Sequence, residues 1–268
     1  MISLDKANWS KVLQRVLVGV VCIPLLLILY YKGGMLLKGF LGLLTVLSSY
    51  EIIKMYENKG VKLLFFNVVS SFLFFYCIVW SSSHALFVLF CILLLNGIRD
   101  IFLNKTDGAV FRISGSMLTV LYPAIGFGLF FRLGDIHQTL IPTLAIMVWI
   151  TDTFAYLVGM KFGKHRGIFK VSPMKSIEGF IGAIIFVCIG AVLTRYIDPE
   201  FYTPKLWILL ALSAGFFGQI GDLFESLLKR DFGVKDSSKI IPGHGGVLDR
   251  FDSLLVAAPV LYILLELF

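Results

Sequence analysis

Apolar residues in this chain come in long runs rather than in the alternating or helical stripes of a surface that faces water on one side. Crossing a hydrocarbon layer of about 30 Å takes about 20 residues of helix. Runs of roughly that length fall near residues 13–31, 33–53, 63–82, 84–103, 115–133, 138–160, 177–196, 206–228 and 250–268. The pattern predicts an all-α fold, a polytopic integral membrane protein with about nine transmembrane helices. The polar segments between the runs are mostly short. Two are long and basic, 161–176 and 229–249. Three of the later runs also carry acids: Asp152 in "TDTFAY", Asp222 and Glu225 in "GQIGDLFESLLKR", and Asp249 and Asp252 in "GGVLDRFDSLL". The chain therefore divides into an N-terminal transmembrane scaffold, residues 1–140, and a C-terminal catalytic region, residues 141–268, that holds both loops.

Composition agrees. Of 268 residues, 58% are hydrophobic and only 15% are charged, and the mean hydropathy is +0.89. That is too much apolar surface for one aqueous core, so a soluble enzyme is excluded and the lipid bilayer is the expected solvent. The formal net charge of +7 is distributed unevenly. If the runs alternate in direction, 19 of the 24 Lys and Arg residues fall on one side, and only Lys32, Lys38, Arg132, Arg195 and Lys205 on the other. The positive-inside rule puts the N-terminus and both long loops in the cytoplasm and the C-terminus outside. Anionic substrates or lipids are the next reason for such charge, and no nucleic acid partner is expected. Cys22, Cys77, Cys91 and Cys188 lie in apolar runs without a C-x-x-C pair and read as small buried hydrophobes. No cleavable signal peptide is expected, because the first apolar run is long and no A-x-A-like site follows it.

A carboxylate within a spanning segment is costly and faces a wet cavity or a partner. Asp222, Glu225 or Ser226, and Lys229 stand three or four residues apart on one helix face, and Asp249 and Asp252 are one turn apart on another. All approach the same membrane edge, as does Asp152, so one aqueous pocket is expected there. Asp222 and Asp249 are expected to hold a magnesium ion jointly, with Asp252 as a further metal candidate, leaving positions open for substrate oxygens. The plain alternative is structural ion pairing with Lys229, Arg230 and Arg250. "PGHGGVLD" brings Gly245 and Gly246 to a helix start, where bare main chain suits an anion. It is not a Walker A loop. His244 is expected to contact phosphate or ribose. The earlier loop, "KFGKHRGIFKVSPMKSIEG", carries Lys161, Lys164, Arg166 and Lys170, then Ser172, Lys175 and Ser176. Ser176 and Glu178 resemble a helix cap, whereas Lys175 has no evident carboxylate partner. Lys175, Lys229, Arg230 and Lys239 are thus the candidates for phosphate, and Ser172, Ser226, Arg250 and Asp152 complete the expected substrate contacts.

The stretch "SLLKRDFGVKDSSKIIPGHGGVLDRFD", residues 226–252, resembles the signature of the phosphatidate cytidylyltransferases, or CDP-diacylglycerol synthases. Ser226, the pair Lys229 and Arg230, Lys235 and Asp236, His244 to Gly246, Asp249, Arg250 and Asp252 all meet its fixed positions. "GDLFESLLKR" and "SPMKSIEGFIG" are also similar to the family. "TDTFAY" departs from a D-T-G-A-Y form, with Phe154 in place of glycine, which bears on how closely the backbone at Asp152 approaches a ligand. The likeness is good over roughly 145–268, and the N-terminal half matches only as a polytopic scaffold. It implies a magnesium-dependent reaction of CTP with phosphatidate to CDP-diacylglycerol and pyrophosphate, with Asp222, Asp249, Lys229 and Arg230 as catalytic residues. It also suggests a homodimer, while the compact chain without an evident targeting segment points to a bacterial inner (plasma) membrane as the location. A CTP-dependent polyprenol kinase would share the pocket logic. A transporter of anionic solutes would need broken helices in two corresponding halves, and these halves are unlike.

Overall fold

A computed structural model describes residues 24–80, 84–241 and 245–268. Among them are nine helices and no strand, only two isolated bridges. They are α1 (24–32), α2 (Gly34–Asn58), α3 (Phe66–Trp80), α4 (Ala85–Phe102), α5 (Ala109–Ile136), α6 (Leu140–Phe162), α7 (Ile177–Leu193), α8 (Pro204–Asp231) and α9 (Leu248–Leu267). Most of the first expected run, 13–31, lies outside the described residues. Gly33 and Gly34, at φ 59° and 64°, take the left-handed backbone that turns α1 into α2.

Helices α2 and α4 to α8 are long and apolar enough to cross a membrane, α7 with its short 3₁₀ extension to Tyr196. With 15 residues, α3 is shorter, and α9 is apolar only beyond its first turns, which carry Asp249, Arg250 and Asp252. The eighth expected run is one helix with an irregularity the sequence did not disclose. Residues Ala211–Phe217 widen into a π-helix. Thr151 Oγ1 of α6 donates to the Ala214 carbonyl there at 3.1 Å, and Gln219 Nε2 donates to the Gly215 carbonyl at 2.6 Å. Widened turns of this kind re-aim the residues that follow. Here those residues include Asp222.

Helix α5 is central, packing on α2, α3 and α9, while α6 pairs with α7, and α8 with α9. In lipid there is little hydrophobic drive between helices, so small residues and polar bonds set these contacts. A methyl group added at Gly179 would lie 2.5 Å from the Ala155 carbonyl oxygen, so α7 sits on α6 at backbone distance. In the scaffold half, Asn67 donates to Ser116 at 2.9 Å, Ser116 to Asn96 at 2.9 Å, and Asn96 back to Asn67 at 3.2 Å. This closed ring joins α3, α4 and α5. The cysteines correct their expected role: Cys188 is exposed on α7, and Cys77 and Cys91 are half-buried, so they face lipid as much as protein. Cys22 lies outside the described residues.

Candidate active site

The ends of α2, α6 and α8 and the starts of α7 and α9 gather on one side of the bundle, joined by contacts such as Lys59 with Asp231 at 2.7 Å. Two acidic groups form there. In the first, α6 contributes Asp152, α8 contributes Asp222 and α9 contributes Asp252. Their carboxylates are close enough to repel one another. Gly221 makes this possible: a methyl group there would lie 2.6 Å from the Asp252 carbonyl oxygen. Ser253 Oγ donates to Asp152 and Ser226 Oγ to Asp222, both weakly at 3.4 Å. The strong partner is Lys175, whose Nζ lies 2.6 Å from Asp222 Oδ2. This corrects the expectation that Lys175 has no carboxylate partner.

The loop before α7 has a definite shape that delivers Lys175. Ser176 caps α7, accepting from the Gly179 N–H at 3.1 Å, as its position suggested. Glu178 does not complete the cap and instead meets His165 Nδ1 at 2.5 Å. Arg166 turns back onto α6, donating to the Gly159 carbonyl at 2.8 Å. Between α6, α7 and α8 this leaves a cavity of ≈ 420 Å³ lined by Asp152, Asp222, Lys175, Arg166 and Gln219. Tyr156, Met160 and Met174 also line it and are exposed on the outside of the bundle. Phe154 does not obstruct it, being stacked on Phe186 of α7 with ring centroids 3.6 Å apart.

The second group lies one turn further along α8. Lys229 is enclosed by Glu225, with which it forms a close ion pair, and by Asp249 Oδ1 at 2.7 Å. Asp249 Oδ2 accepts from Ser237 N and Ser237 Oγ, each at 3.0 Å, and from Gly246 N at 2.7 Å. Gly245, at φ 83°, closes the turn, and a methyl group on it would lie 2.6 Å from that same oxygen. Glu51 of α2 enters here through Ser237 and Ser238.

Other expected residues are more dispersed. Arg230 ties the two loops together, donating to the Val171 carbonyl at 3.3 Å and the Val234 carbonyl at 3.1 Å. Ser172 forms a turn, its carbonyl accepting from Lys175 N at 3.1 Å. Lys239 is exposed on its loop, and Arg250 is exposed on the first turn of α9, where its charge acts on Asp152. His244 lies outside the described residues. Glu51, Gln219 and Tyr122, which lies against the charges of Asp252, Glu225 and Asp222, were not anticipated. Glu51 carried a usable signal, an acid within an apolar run.

Fold and site together define a polytopic membrane protein with an acid-lined, lysine-bearing cavity at one end of its bundle. The chain belongs to the cytidylyltransferase family, whose model matches residues 13–268. It is 36% identical over 266 residues to the phosphatidate cytidylyltransferase of Staphylococcus aureus (strain COL), covering 95% of this chain and 98% of that protein. The phosphatidate cytidylyltransferase of Bacillus subtilis (strain 168) is 33% identical over 269 residues, with coverage of 95% and 98%.

Proposed function

We propose that this protein is a magnesium-dependent phosphatidate cytidylyltransferase, joining CTP to phosphatidate and releasing pyrophosphate. The observation that carries this reading is the cavity where Asp152, Asp222 and Lys175 meet beside an exposed apolar border of Tyr156, Met160 and Met174. A water-soluble nucleotide enters from the side of the basic loops, and a lipid phosphate arrives from the bilayer. The whole-length likeness to proteins of that name supports the same conclusion.

The chemistry is a displacement at phosphorus. An oxygen of the phosphatidate phosphate attacks the α-phosphorus of CTP, and the bond from that phosphorus to the bridging oxygen of the β-phosphate breaks. Little proton transfer is required, so the protein's contribution is alignment and neutralisation of charge. Lys175 is poised to exchange Asp222 for a phosphate oxygen, and Arg166 adds positive charge at the cavity wall. The apolar border restricts water, which would otherwise hydrolyse CTP. Lys239 and Arg250, exposed at the loop and the helix start, draw the nucleotide in.

Among the described residues, no group of three or more Asp, Glu, His or Cys side chains is placed to hold a metal ion. Asp222 on the cavity wall, with Asp252 of α9 within reach of its charge, nevertheless fits magnesium, which commonly takes one or two acids and completes its shell with substrate phosphates and water. Asp222 and Asp252 are the pair we assign. Asp249, the partner expected from spacing, already accepts from Lys229, Ser237 and Gly246, and in our reading it holds the loop. When bound, the ion neutralises the phosphates and the departing pyrophosphate. We further infer that the loops face the cytoplasm of a bacterial inner membrane, as the distribution of basic residues suggests. Reconstitution of the purified protein into vesicles tests the proposal. Pyrophosphate release from CTP should require both phosphatidate and magnesium. Release without phosphatidate, or none with it, would refute it.

A further inference from the structure

Glu51 belongs to α2, far in sequence from the signature loop, yet it is fully buried, and among the described residues its carboxylate accepts hydrogen bonds from that loop and the helix start that follows it. Oε1 accepts from Ser238 Oγ at 2.6 Å and from Val247 N at 2.8 Å. Oε2 accepts from Ser237 Oγ and Leu248 N, each at 2.9 Å. The carboxylate thus bridges both limbs of the loop and caps α9, whose N-terminal dipole favours a negative charge there. Ser237 Oγ has one proton, which it shares between Glu51 and Asp249 at 3.0 Å. The fit is close: a methyl group on Gly246 would lie 2.6 Å from Glu51 Oε1. A chain of contacts therefore runs from Glu51 through Ser237 to Asp249 and on to Lys229 and Glu225.

We propose that Glu51 is a positioning residue for nucleotidyl transfer, and that α2 is accordingly part of the active-site machinery. Resting on the cytidylyltransferase reading above, it deepens that reading in one respect. The glycine turn at 245–246 and the first turn of α9, with Asp249 and Asp252, hold their shape only while both limbs of the loop are gripped. Neither Ser237 nor Gly246 can grip them through Asp249 alone, because the bonds to Val247 N and Leu248 N end on Glu51.

Glu51→Gln is the informative change. It keeps the size, but one carboxylate oxygen becomes an amide nitrogen. The serine hydroxyls can rotate to accept from it, whereas the backbone N–H of Val247 or Leu248, whichever faces it, cannot. One main-chain bond is lost in either flip of the amide. In the full-length protein, hydrogen–deuterium exchange at residues 245–248 should quicken at least tenfold while exchange in α3 to α5 stays at the wild-type rate. CDP-diacylglycerol formation should lose at least tenfold in kcat/KM for CTP. Should Glu51→Gln not fold, Ser238→Ala removes one of the four bonds and should give the same two effects at threefold or more. Wild-type exchange at 245–248 in the variant that folds would overturn the assignment, as would faster exchange with unchanged kcat/KM. If the wild-type protein itself fails to make CDP-diacylglycerol, the cytidylyltransferase reading falls, and the grip of Glu51 on the loop is still decided by the exchange rates.

Discussion

Replacing Lys175 with methionine keeps an unbranched stem as far as the ε carbon and removes the ammonium 2.6 Å from Asp222 Oδ2. Two roles for that ammonium predict different outcomes. The pair is about a quarter to a third exposed, at 26% and 32%, so as an ion pair alone it is worth roughly 0–1 kcal/mol. Its loss would then lower the melting temperature by at most a few degrees and leave catalysis alone. As a donor to a phosphate in the closing transition state, it makes a charge-assisted hydrogen bond worth roughly 1.5–3 kcal/mol. At about 1.4 kcal/mol per factor of ten, that is a loss of roughly 10- to 150-fold in kcat/KM for CTP. The assay follows labelled cytidine into the organic phase from mixed micelles of detergent and phosphatidate, with melting measured on the same samples. We expect the large kinetic loss with a melting temperature near wild type. A kcat/KM within threefold of wild type, with a lowered melting temperature, would refute the assignment of Lys175 to substrate.

Four other expectations follow. Asp222→Asn and Asp252→Asn should each abolish turnover, with the double variant hardly worse than either, because in the proposed site both would hold the same ion. Asp249→Asn should instead mainly destabilise the protein, by about 3–5 kcal/mol, because it leaves the buried Lys229 short of a partner; a loss of magnesium dependence without loss of stability would return Asp249 to the metal site. Gly221→Ala puts a methyl group 2.6 Å from the Asp252 carbonyl, and should cost about 1–3 kcal/mol of stability while reducing kcat; wild-type kcat would show that the α8–α9 approach does not set the acids. For topology, cysteines placed at exposed positions 200 and 239 should be labelled from outside and from inside respectively, and the reverse would overturn the orientation.

The spans were legible because lipid demands a run of apolar residues of fixed length, whatever the helices do next. The acids of α6, α8 and α9 were legible for the complementary reason, that charge in such a run needs an explanation. Their grouping was not legible. Spacing says that Asp249 and Asp252 are a turn apart, but only the rotation of α9 decides that Asp252 turns to Asp222 and Asp249 to Lys229. The widened turn Ala211–Phe217, with no marker residue, changes that rotation in α8. No partner for Lys175 was legible because its carboxylate lies 47 residues away on α8, a pairing that local spacing does not encode. Glu51 was legible in principle: the rule that singles out Asp152 applies equally to an acid in "SSYEIIKM", within the half read as scaffold.

The central claim, that the protein transfers a cytidylyl group to a lipid phosphate, is tested most directly by following two labels. CTP labelled at the α-phosphorus and CTP labelled at the γ-phosphorus are supplied in parallel to the purified protein in phosphatidate vesicles with magnesium. Displacement at the α-phosphorus predicts that the α label enters the lipid, together with the cytidine, and that the γ label leaves as pyrophosphate. A γ label recovered in the lipid, with the α label remaining in soluble CDP, would show a kinase and contradict the account.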